Sequence, residues 1–141
     1  MPCAMHAAAT YARVGLETGI AAASPHTLIE MLFDGAIVAV NRAREALAAG
    51  DVAAKGLAVS RAIEIVEQGL RASLDRAAGG DLAAQLDSLY EYISARLLVG
   101  SAQGRPEAFA EVAHLLGELR EAWHGIAPRP AAPSLRLAAG A

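Results

Sequence analysis

Cysteine is nearly absent from this 141-residue chain: Cys3 is the only one, so no internal disulfide can form and no metal cluster can be built from thiolates. A reducing cytoplasm is the simplest setting for such a chain. Aromatic residues supply only 4% of the sequence while Ala and Leu abound, a balance that favours helix over strand. Positive charge is not in excess either. The formal net charge is -3, and the 12 Lys and Arg are scattered among acidic residues rather than gathered in a stripe, which argues against a nucleic-acid partner. The opening M-P-C-A-M-H-A-A-A-T lacks both the positive region and the sustained apolar core of a targeting segment. The uncharged run from Thr18 to Ile29 is short and interrupted by Ser24-Pro25, so it falls well below a bilayer span. The expectation is a soluble, cytoplasmic, single-domain protein with no membrane insertion.

What is present is helix. In S-P-H-T-L-I-E-M-L-F-D-G-A, Ser24 suits an N-cap and Pro25 the first helical position, where a missing N–H costs nothing. Leu28, Leu32 and Ala36 then form one stripe at helical spacing, and Ile29, Phe33 and Ile37 form a second beside it. So wide an apolar arc must meet two surfaces: two neighbouring helices, or the core on one side and a partner on the other. Gly50 stops this helix and Asp51 caps the next, whose stripe runs through Val59, Ile63, Val66, Leu70 and Leu74 to Gly79-Gly80. A third, opened by Asp81, carries Leu82, Leu86, Leu89, Ile93 and Leu97. After the Gly104-Arg105-Pro106 turn, Phe109, Val112, Leu116, Leu119, Trp123 and Ile126 line a fourth.

These segments predict helices over about 25–49, 51–78, 81–99 and 106–125. Short connections make consecutive helices antiparallel, so residues 25–126 are expected to form an all-α, up-down-up-down four-helix bundle. Residues 1–24 read as a flexible N-terminal arm with a weak helical stretch around Tyr11 to Leu16. The Pro-containing tail, 127–141, reads as disordered.

The search for reactive chemistry yields little. Two Glu-x-x-His strings, Glu111 to His114 and Glu121 to His124, carry the spacing used by metal-binding bundles. Both lie on one helix at positions facing water, so their ligands do not converge and no metal is expected. Ser24 and His26 are close in sequence, but no carboxylate is evident to orient the imidazole, and capping already accounts for the serine. Cys3 has no activating neighbour beyond His6. No catalytic site and no cofactor are expected.

Apolar surface, by contrast, exceeds what a bundle seam needs. Ile29, Phe33, Ile37 and Val40 form the second stripe of the first helix, while Tyr90 and Tyr92 flank the core stripe of the third, each with an apolar ring and a polar tip. Gly56 and Gly69 inside the second helix mark places where another backbone approaches, or are simply tolerated.

The order Tyr11, Thr18, the Ser24 to Ala36 block, A-K-G at Ala54 to Gly56, G-G-D-L-A at Gly79 to Ala83, L-Y-E-Y-I-x-x-R-L-L at Leu89 to Leu98 and E-A-W-x-x-I at Glu121 to Ile126 resembles the flagellar secretion chaperone FliS family. The likeness covers about residues 11 to 127. Phe33, where the family often has Tyr, and Gly100 are its mild departures. The resemblance implies a cytoplasmic export chaperone, not an enzyme. Such a protein binds the C-terminal segment of flagellin, prevents its premature polymerisation and assists its delivery to the flagellar type III export gate. It also gives Tyr11 a part in binding. Together with Ile20 in the arm, the expected flagellin-binding residues are therefore Tyr11, Ile20, Ile29, Phe33, Ile37, Val40, Tyr90 and Tyr92, with the arm covering the groove until flagellin displaces it. The competing reading is a scaffold that dimerises through the second stripe and has no flagellin client.

Overall fold

The computed structural model describes residues 24–126, and the expectations for Cys3, His6, Tyr11, Ile20, the arm and the tail lie outside them. Helix α1 (Pro25–Ala49) begins as its sequence dictates, with the Ser24 hydroxyl accepting from the Thr27 N–H at 3.1 Å and Pro25 in the first turn. Gly50 closes it, and the Asp51 N–H donates back to the Ala46 carbonyl. The Asp51 carboxylate then caps α2 (Val52–Glu64) by accepting from the Ala54 N–H at 3.0 Å. Helices α3 (Arg76–Gln103) and α4 (Pro106–Gly125) complete the all-α four-helix bundle.

α1 holds the assembly together. It packs against α2 along one flank and α4 along another, while α3 closes the bundle against α4 and the end of the second helix. Its inward residues Ala36, Ala39 and Ala43 are small, which lets the neighbouring helices come close. Phe109, Ile93, Leu97, Leu116, Val40, Val66 and Val112 fill the centre, and every buried residue among those described is apolar or glycine.

Two helix boundaries depart from those expected. The second helix does not continue uniformly to 78: its hydrogen bonding loosens to a π-helical segment, Ile65–Arg71, before the chain turns. There Gly69 lies against α1 so closely that a Cβ would sit 3.0 Å from Leu32 Cδ2, so the missing side chain permits the approach. Arg71 locks the segment to α3 by pairing with Asp87 at 2.7 Å; within the segment it also pairs with Glu67 at 3.0 Å, and Glu67 accepts from the Ser94 hydroxyl of α3 at 2.7 Å. The third helix also starts before Asp81. Asp75 caps a first turn by accepting from Ala78 N–H, and Gly80, at φ 55° and ψ -130°, breaks that turn from the long helix beyond it.

Candidate protein-binding surface

Three residues expected on a groove belong to the core. Phe33 is 2% exposed and Val40 0%, so the wide arc of α1 serves two neighbouring helices at these positions rather than a helix and a partner, and Tyr90 on α3 is 4% exposed in the same core. Burial also pushes the Tyr90 phenol above its ordinary pKa. Ile29 and Ile37 are half-buried and rest against the core margin. Tyr92 is exposed on α3, where its hydroxyl donates to Glu111 at 2.6 Å beside the Arg96–Glu111 pair. Among the described residues, the structure therefore does not gather Ile29, Phe33, Ile37, Val40, Tyr90 and Tyr92 into one groove.

It opens a different one. Between α1 and α2 runs a trough of about 890 Å³ with Gly35, Ala39, Ala46, Ala54 and Ala58 among its lining. Small side chains leave the space that Leu or Ile would fill. Val38 and Leu57 stand over it at 47% and 75% exposure. Burying the Leu57 side chain against a partner would contribute about 1.5–3 kcal/mol. Sequence reasoning missed this surface because alanine reads only as a helix former; the available signal was Val38 and Leu57, which lie off the main stripes.

The far end of α1 is polar and tied to α4. Asp34 is half-exposed and pairs with Arg120, whose guanidinium pKa is raised by that hydrogen bond. One turn earlier, Glu30 accepts from His124 Nδ1 at 2.7 Å and lies 3.6 Å from His26 Nε2. A carboxylate does therefore stand beside the His26 imidazole, contrary to the sequence expectation, because i and i+4 share a helix face. Ser24 remains committed to its cap. In the other Glu-x-x-His string, His114 pairs with Glu118 while Glu111 turns toward α3. Among the described residues no cluster of three or more His, Cys, Asp or Glu side chains is arranged to hold a metal ion. Nor is any helix there long and apolar enough to cross a membrane.

An antiparallel helical bundle with an apolar core and an open, alanine-floored trough is a scaffold whose available chemistry is the burial of another chain. Comparison with known proteins places it more closely. The family profile of the flagellar protein FliS matches residues 7–130, and the chain belongs to that family. It is 49% identical over 119 residues to the flagellar secretion chaperone FliS of Salmonella typhimurium, covering 84% of this chain and 88% of that one. It is 38% identical over 123 residues to the flagellar secretion chaperone FliSB of Pseudomonas aeruginosa, covering 87% and 97%. To the flagellar secretion chaperone FliS of Escherichia coli it is 37% identical over 113 residues, covering 80% and 83%. The family is one of export chaperones, not enzymes.

Proposed function

We propose that this chain is a cytosolic flagellin chaperone that binds the C-terminal segment of flagellin, holds it from polymerising early and helps present it to the flagellar type III export gate. The observation that carries the reading is the α1–α2 trough with Val38 and Leu57 exposed above it, in a member of the FliS family. Segments of a filament subunit that pair only in the filament expose apolar faces beforehand, and an apolar trough covers such a face without any covalent chemistry. A segment that orders on binding loses part of its gross interaction energy to that ordering, so contact must be spread over more than one patch. Ile29, Ile37 and Tyr92 are further contact points on this reading, as are Tyr11 and Ile20 in the arm. The arm covers apolar surface near α1 until flagellin displaces it.

A pull-down from purified components tests the proposal. Flagellin is retained by the full-length chaperone, and flagellin lacking its last few dozen residues is not. Equal retention of both would contradict the C-terminal assignment. A dimer by light scattering that ignores flagellin would favour the scaffold reading instead.

A further inference from the structure

The seam between α3 and α4 changes character along its length. At one end it is shut: Gly100 lies against Phe109 and Ala108, and Glu111 accepts from both Tyr92 and Arg96. At steps of three and four residues from that closure, α3 carries Leu89, Leu86 and Leu82 on the same face, and α4 carries Leu115, Leu119, Ala122 and Ile126. Leu86, Leu89, Leu115 and Leu119 rest half-buried on the core margin. Beyond them Leu82 is 63% exposed and Ile126 66%. The antiparallel register set by Gly100 opposite Ala108 and Arg96 opposite Glu111 brings these two to one level. This end of the seam is therefore an apolar strip with no neighbour over it among the described residues.

Position, reach and charge name its occupant. The chain leaves α4 at Ile126, on the strip itself, where the backbone turns away from helical geometry at φ -106° and ψ 22°. The residues that follow, A-P-R-P-A-A-P-S-L-R-L from Ala127 to Leu137, hold three prolines, two arginines and no acidic residue. An extended, proline-spaced segment advances ~3.1 Å per residue, so the path from Ile126 to Leu135 reaches about 28 Å. The strip from Ile126 back to Glu111 measures about 22 Å at 1.5 Å per helical residue, which leaves length for the reversal. Its borders are acidic: Glu118 on α4 is held by His114, both being well exposed, and the exposed Asp81 on α3 makes no ion pair among the described residues. We infer that residues 128–137 fold back along the α3–α4 seam as a strap, in place of the disorder expected from sequence. Leu135 and Leu137, which share one side of an extended chain, seat beside Leu89 and Leu115. Arg129 comes level with Asp81 and Arg136 with Glu118. The strap lies on the other side of the bundle from the trough and does not depend on the flagellin reading.

A paramagnetic label tests it in the isotope-labelled full chain with Cys3→Ser. A nitroxide at Ser134→Cys is expected to remove most of the signal intensity from the amides around Leu89 and Leu115 while sparing those around Val38 and Leu57. Broadening around Val38 and Leu57 instead, or nowhere in the bundle, overturns the strap. A mixture of nitroxide-bearing chains without isotope and isotope-labelled chains without nitroxide shows whether the contact is internal. Broadening of the seam in that mixture as strong as within one chain assigns the strip to a second copy and overturns the intramolecular docking. Adding Leu135→Ser and Leu137→Ser to the labelled chain is expected to restore the lost signals. Broadening that persists in that variant overturns the two leucines as anchors.

Discussion

His26 lies flat on Trp123, with ring centroids 4.5 Å apart and planes 11° apart, while the indole N–H donates to the His26 carbonyl at 2.9 Å. This pair joins the first turn of α1 to the last turns of α4. Glu30–His124 and Asp34–Arg120 add polar ties along the same seam.

Trp123→Ala should therefore loosen the end of the bundle, at the lower part of the ~3–5 kcal/mol range for removing a large core side chain because the indole is only half-buried. Trp123→Phe keeps an aromatic face but leaves the His26 carbonyl without this donor, for a loss of about 1 kcal/mol. Urea unfolding followed by circular dichroism ranks the two. Equal losses would show that the hydrogen bond, not the stack, accounts for the contact.

Gly100 faces α4 with no room to spare, since a Cβ there would lie 3.0 Å from Phe109 Cε1 and 3.1 Å from Ala108 Cβ. Gly56 has nothing within 4 Å of that position. Gly100→Ala is expected to cost about 1–3 kcal/mol by overpacking the α3–α4 contact. Gly56→Ala should stabilise by up to about 1 kcal/mol through helix propensity alone. Thermal unfolding of both variants checks the contrast, and a stabilising Gly100→Ala would contradict the close packing.

Acid should weaken the tie between the π-helical segment and α3. Hydrogen bonds from Arg71 and Arg76 bring the Asp87 carboxyl down to about 2. Hydrogen bonds from Tyr92 and Arg96 also hold Glu111 below the ordinary carboxylate range. A folded-state value below that of the unfolded chain, about 3.9 for Asp, means that this stabilisation is complete above the unfolded value and is lost as pH falls toward the folded one. Wild-type stability should thus fall more steeply than that of Asp87→Asn between about pH 5 and 2. Parallel curves from chemical unfolding at stepped pH would exclude Asp87 as a source of the slope.

Much of the bundle is legible from local chemistry. Ser24-Pro25, Asp51 and Gly50 mark helix ends because capping and left-handed closure are properties of a few adjacent residues. The π-helical segment, where Gly69 meets Leu32 of α1, is not legible in that way, because a contact between helices far apart in sequence leaves no local signature. Phe33, Val40 and Tyr90 illustrate a second limit: a wide apolar arc reveals that two surfaces are covered but not whether the second belongs to the same chain. The trough is defined by side-chain volume that is missing, and hydrophobic periodicity does not register a missing volume. Only the family resemblance carried the reading from a bundle to a chaperone.

The most direct test of the account separates folding from binding at one exposed side chain. Leu57→Glu should leave stability within about 0.5 kcal/mol of wild type, because Leu57 makes little use of the core. The same substitution should weaken calorimetric binding of the flagellin C-terminal segment at least tenfold, in keeping with the ~1.5–3 kcal/mol gained by burying such a side chain. A folded Leu57→Glu variant that binds this segment as tightly as wild type would contradict the claim that the trough between α1 and α2 receives it.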